Sequence, residues 1–290
     1  MDQIRKIFKS VDLFFSSSGV FTYLLGAVLA QRSGRTLNAA VFSFGLLFFV
    51  CLYLLERTAH YLTSSRINIF STVHRSKKLQ TPELVWFLFF LFLGTLFCLF
   101  GLVREGGVSG DNWIWLILLS LAILIHTTSV RLWALPFRWL TDGLVISPLL
   151  LFFGAALQKI SSDRVLFFLS LPLFFLYLAS STALLFENYA ADLEKKWHSL
   201  LTVIGWERGI SLHHILLVLS YISLGIYFYV SGAWSITWPA ALAAVISLLE
   251  VYQLERIARG MKPLWGLLRA SAALQYLTVL YILLFAFLIH

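Results

Sequence analysis

The chain is a succession of apolar runs, each close to the length that crosses a bilayer. They fall near 11–30, 37–60, 83–103, 112–131, 140–158, 164–186, 210–231, 235–252 and 265–289. A helix needs ~20 apolar residues to traverse the hydrocarbon core. In lipid every backbone N–H and C=O must be bonded internally, so only helices and closed barrels can span. Barrel strands are alternating segments of ~10 residues, and these runs are not. The pattern therefore predicts an all-α, polytopic, integral membrane protein with about nine transmembrane helices in a single transmembrane domain, residues 1–290.

Composition agrees. Hydrophobic residues make up 60% and charged residues 12%, against roughly 45–50% and 25% in soluble chains. The net charge of +8 does not point to nucleic acid, because in a membrane protein the position of the positive charge carries the information. With the N-terminus placed in the cytoplasm, sixteen Lys and Arg fall on the inner side and five on the outer, with Arg269 inside the last span. The positive-inside rule therefore favours a cytoplasmic N-terminus. Loops near 57–82, 187–209 and 250–264 then share one cytoplasmic face, where they form a cap. Arg5, Lys6 and Lys9 precede a first anchor instead of a cleaved leader, since further spans follow. Cys51 and Cys98 both lie within spans and have no metal or redox spacing.

The ionisable residues of this oily chain are concentrated in a few places. Segment 184–205, LLFENYAADLEKKWHSLLTVIG, gathers Glu187, Asn188, Asp192, Glu194, Lys195, Lys196 and His198. If the sixth span continues as helix, Asn188 and Asp192 lie four residues apart on one face. An amide and a carboxylate at that spacing make a hard-oxygen half-site; Mg²⁺ takes one or two such carboxylates and fills its shell with phosphate oxygens. The competing reading is a solvated loop at the membrane boundary. Glu56 and His60, with Arg57 between them, form a second i, i+4 pair at the inner end of the second span. Such residues face a cavity or a partner, or snorkel to the headgroups. The basic stretch with Arg66 and Arg75 holds topology against anionic lipid, or caps an anionic substrate. His213 and His214 open the seventh span, and at i, i+1 they cannot share a helical face, which favours a capping or interfacial role. Pro148, Pro172 and Pro239 are expected to bend their spans. No nucleophile with its base, zinc signature or nucleotide fold is present. Mid-span charge is confined to Arg269 and Glu250, which weighs against a transporter.

These residues resemble the UbiA superfamily of intramembrane prenyltransferases, nearest its 1,4-dihydroxy-2-naphthoate polyprenyltransferase branch. LLGAVLAQRSGRTLNAAVFSFGLL is similar to the family's first helix, turn and second helix, and WALPFRW with ISPLLLFFGAALQ to its fourth connection and fifth helix. NYAADLEKKWHSLLTVIG resembles its second aspartate-rich motif, with Asn188 at the earlier aspartate and Asp192 at the later. In the first motif at most one carboxylate, Glu56, remains where the family uses two.

The resemblance implies a UbiA-like bundle in which Mg²⁺ holds an isoprenyl diphosphate at the inner face. The prenyl group then passes to a lipid-soluble acceptor, such as an aromatic quinone precursor, or cyclises. It assigns Asp192, Asn188 and Glu56 as metal ligands, Glu187 and His60 as substitutes, and Lys195, Lys196, Arg66 and Arg75 as diphosphate clamps. Its setting would be the bacterial cytoplasmic membrane, for quinone biosynthesis. The thinned carboxylates support an alternative: a catalytically lapsed UbiA-fold subunit or lipid-binding protein, held in a membrane complex by a partner.

Overall fold

A computed structural model describes residues 12–32, 34, 36–71, 82–108, 110–132, 136–160, 164–195 and 198–289. Side chains of residues 31, 32, 60–71, 82, 83, 111, 126–132, 136 and 137 lie outside the described set. The described elements are all helical. They are α1 (Leu13–Arg32), α2 (Ala39–Ser71), α3 (Pro82–Arg104), α4 (Trp113–Leu132), α5 (Pro136–Leu144), α6 (Leu150–Leu157), α7 (Arg164–Leu185), α8 (Tyr189–Glu194), α9 (Leu200–Ile204), α10 (Trp206–Ser231), α11 (Trp234–Thr237), α12 (Ala244–Ala258) and α13 (Trp265–Ile289). Eight segments of the described residues are long and apolar enough to cross a membrane, and Trp113–Ile125 adds a shorter ninth. The protein is an all-α, multi-pass membrane protein, as the apolar runs predict.

Start signals are local. Asp12 accepts hydrogen bonds from the amides of Phe14 (3.0 Å) and Phe15 (3.2 Å), capping α1. Asn38 does the same for α2 through the amides of Ala40 and Val41, both at 3.1 Å. The α2 helix runs on to Ser71, past the expected end of the second span near 60.

The expected fifth span is α5 and α6 joined by a π-helical turn, Val145–Leu149, that contains Pro148. Proline cannot donate to the ladder, and here the amide of Leu150 reaches back five residues to the Val145 carbonyl. Pro172 lies inside the unbroken α7. Pro239 lies in a 3₁₀ stretch, Trp238–Ala243, so the eighth span is α-helical at both ends with a tighter pitch between.

The centre of the bundle is α1 against α6, with α13 and α7 around them and α10 on α7. Gly26 and Gly154 allow the first contact. A Cβ on Gly26 would run into the Leu151 carbonyl, and one on Gly154 into the Tyr23 carbonyl, so the two backbones meet where small residues permit it. Hydrogen bonds stitch the buried aromatics: Tyr23 Oη donates to the Phe42 carbonyl (2.9 Å), and Tyr276 Oη lies 3.1 Å from Thr22 Oγ1. By contrast α3 turns a mostly exposed apolar face outward, as a lipid-facing helix does.

Candidate active site at one end of the bundle

Glu56, midway along α2, lies at the end of the bundle where α1 and α5 begin and α7 stops. Its side chain is 1% exposed, with Arg57 Nε at 3.3 Å from Oε2 and Arg138 Nη2 at 3.9 Å from Oε1. Arg57 is held in turn: its Nε donates to Tyr53 Oη at 3.1 Å, and its guanidinium lies 5.1 Å from the Tyr53 ring and 5.6 Å from the Phe15 ring. Asp142, one helical turn beyond Arg138, acts electrostatically on Arg57. Helices α2 and α5 are thus joined by alternating acids and guanidiniums.

Arg138 and Asp142 also line a cavity of about 300 Å³, together with Asp12, Phe14, Trp139, Tyr177, Ser181, Leu184, Leu185, Asn188, Ser199 and Leu200. One wall is aromatic. Phe14 stacks on Tyr177 at 5.3 Å, and Tyr276 packs edge-on to Tyr177 at 5.4 Å behind it. Trp139 is oriented by donating its indole N–H to the Leu178 carbonyl at 3.2 Å. Faces of this kind stabilise a neighbouring cation. The polar rim carries carboxylates, an amide, hydroxyls and a guanidinium.

The second corner is not a continuous helix. After α7 the chain tightens into a 3₁₀ turn, Phe186–Asn188, before α8. The i, i+4 relation of Asn188 and Asp192 therefore spans a change of pitch. Asn188 reaches the cavity, whereas the half-buried Asp192 is not among the described lining residues. Glu187 turns to α13 and pairs with Arg269 at 3.2 Å. This pairing places Arg269 in the second turn of α13, beside that corner. Lys195 is exposed. Lys196, Arg75 and the side chains of His60 and Arg66 lie outside the described residues.

The Glu56 and Asn188 corners thus share one end of the bundle and are linked through Arg138. Residue chemistry alone assigns no role to Arg138, Trp139, Asp12, Tyr177, Ser181 or Asp142. One signal was available: Arg138, Trp139 and Asp142 follow Pro136 within two turns, a polar and aromatic cluster opening an apolar span.

Among the described residues no group of three or more His, Cys, Asp or Glu is placed to hold a metal. Both Glu56 oxygens face guanidiniums. Donors of suitable chemistry for a hard cation nevertheless line the cavity: the carboxylates of Asp12 and Asp142 and the amide of Asn188. Two carboxylates with phosphate oxygens are what Mg²⁺ ordinarily requires of a protein.

No protein-family model matches the chain, and no curated protein matches its sequence. Solved structures do match in three dimensions. The chain is similar to a digeranylgeranylglyceryl phosphate synthase in membranes, with 17% identity and a TM-score of 0.59 over 95% of this chain and 92% of that one. It is also similar to a UbiA homolog from Archaeoglobus fulgidus bound to Cd²⁺, with 14% identity and a TM-score of 0.59 over 93% and 97%. At these identities the likeness establishes the fold, an all-α UbiA-like bundle.

Proposed function

We propose that the chain is an intramembrane prenyl-group transferase of the UbiA type, nearest its 1,4-dihydroxy-2-naphthoate branch, acting in the bacterial cytoplasmic membrane with the cavity toward the cytoplasm. One observation carries the reading. In a UbiA-like bundle, Asn188 and the Glu56-paired Arg138 line a single cavity with an aromatic wall and a charged rim.

On this reading the cavity takes the head of an isoprenyl diphosphate, and the tail lies among the helices. Asn188, Asp142 and Asp12 would hold Mg²⁺, with Asp192 approaching from α8; the ion would supply charge neutralisation for the diphosphate. Lys195, Lys196, Arg66 and Arg75 serve as clamps on the same head. Glu56 acts through Arg138, fixing its guanidinium at the rim. The allylic C–O bond breaks with its electron pair leaving on the diphosphate. Phe14, Trp139 and Tyr177 face the resulting cation, a lipid-soluble acceptor bonds to its carbon, and the acceptor's proton departs. An aromatic quinone precursor fits such an acceptor, and an internal alkene would give cyclisation instead.

The burial of Glu56 between two arginines favours a second reading, a UbiA-fold subunit or lipid-binding protein without turnover. Incubating the purified protein in nanodiscs with radiolabelled prenyl diphosphates, quinone precursors and Mg²⁺ separates the two. A labelled, Mg²⁺-dependent lipid product supports the transferase. Absence of product across chain lengths and acceptors, with lipid or a partner copurifying, supports the lapsed subunit.

A further inference from the structure

A second polar centre lies inside the bundle, away from the cavity rim. His213 of α10 and Glu250 of α12 are both 0% exposed, and their Nε2 and Oε1 atoms stand 3.3 Å apart. Each is roughly 9–11 Å from the nearer end of its helix, at 1.5 Å per residue. His213 is therefore neither a cap nor an interfacial residue, because its ring points inward onto a carboxylate of another helix. Ionisable residues at such depth are rare and mark functional positions.

The surroundings supply acceptors and few donors. Both His213 ring nitrogens, both Glu250 oxygens, Gln253 Oε1 and Gln275 Oε1 are buried without a hydrogen-bond partner among the described residues, the 3.3 Å Nε2–Oε1 approach being an ion-pair distance. The two glutamine amides spend their N–H groups elsewhere: Gln253 Nε2 donates to Ser271 Oγ (3.2 Å) and Gln275 Nε2 to Ser180 Oγ (3.0 Å). Ser271 and Gln275 are one turn apart on α13, and Ser180 precedes the cavity-lining Ser181. Buried polar side chains thus continue from α12, which carries Glu250, across α13 to α7.

Other ionisable groups on the surrounding helices are engaged with different partners. His214 faces Glu255 at 4.0 Å, Arg259 faces Glu255 at 4.0 Å, and Arg269 faces Glu187. Tyr221 Oη is 2.7 Å from Ser247 Oγ, Tyr276 bonds Thr22, and Tyr177 stacks on Phe14. His214 lies beside the His213 ring at 5.5 Å, and none of these groups forms an ion pair with the dyad among the described residues. An ion pair there would leave the outer atoms of both partners unsatisfied in a low-dielectric interior, a costly arrangement. A neutral carboxylic acid donating to a neutral imidazole avoids that cost.

We propose that His213 and Glu250 form an intramembrane proton-binding site, with one proton carried on Glu250 and donated to His213 Nε2. The proton exchanges with water, and no electrons move. The site stands independently of the transferase reading.

Infrared difference spectroscopy of the protein in nanodiscs, in H₂O and D₂O at neutral pH, tests it. The expected result is a protonated-carboxyl C=O band that shifts in D₂O and on ¹³C-glutamate labelling, is lost in Glu250→Gln and is displaced in His213→Gln. The labelled wild-type protein decides the matter even where a variant does not fold. Absence of a glutamate C=O band at neutral pH, or a band unmoved by both substitutions, overturns the proposal.

Discussion

Arg138 and Glu56 lie 82 positions apart in sequence, yet Nη2 of one stands 3.9 Å from Oε1 of the other, joining the middle of α2 to the start of α5 beside the cavity. This link brings the Glu56 corner into the same site as Asn188.

Removing the buried acid should therefore be expensive. Glu56→Ala leaves the Arg57 and Arg138 guanidiniums, 14% and 20% exposed, without their shared counter-charge. Breaking a buried pair from one side costs about 3–5 kcal/mol, so the variant should unfold at clearly lower temperature in detergent. A melting temperature equal to wild type would show that the pair carries no structural weight.

Arg138→Gln keeps the volume near the rim but removes the charge. A hydrogen bond to a charged group contributes ~1.5–3 kcal/mol, so kcat/KM for a prenyl diphosphate should fall roughly 10- to 100-fold. Steady-state kinetics at saturating Mg²⁺ provide the check, and an unchanged kcat/KM removes Arg138 from the site.

Glu187 offers a contrast. It is 30% exposed and pairs with Arg269, itself 61% exposed, so the pair is worth less than ~1 kcal/mol. Glu187→Ala should leave stability nearly unchanged and turnover within a few-fold of wild type. Complete loss of Mg²⁺-dependent turnover in a folded Glu187→Ala protein would place this carboxylate on the metal after all.

The α1–α6 contact makes a packing prediction. Gly26→Ala drives a methyl into the Leu151 carbonyl, where neither backbone can yield cheaply; overpacking of this kind costs ~1–3 kcal/mol. Gly225→Ala in α10 meets nothing within 4 Å, and should be neutral or stabilising by up to ~1 kcal/mol. Thermal denaturation of the two variants side by side distinguishes a glycine required for close approach from one facing lipid.

The sequence was most informative where the physics is local. Apolar runs mark spans because lipid acts on each helix separately, and all nine runs overlap helices here. Site chemistry was harder to read, because it depends on which helix ends converge. Asn188 lines the cavity and Asp192 is not among its described lining residues, and no residue-type rule foretold the 3₁₀ turn after Leu185. Arg138 and Asp142 carry no motif, and their meaning comes from helices 80 or more positions upstream. His213 was misread for the same reason. Compared only with His214, it looks like a cap, whereas its partner Glu250 lies on another span.

The most direct measurement is photolabelling with a photoreactive isoprenyl diphosphate in nanodiscs, with Mg²⁺, followed by peptide mapping. If the cavity binds the diphosphate, label should fall on the peptides bearing Asp12–Phe14, Arg138–Asp142 and Tyr177–Asn188, and unlabelled prenyl diphosphate should compete it away. Label confined to the lipid-facing groove at His214, Tyr221 and Ser247, or label that does not respond to competitor, would contradict a prenyl diphosphate site in this cavity.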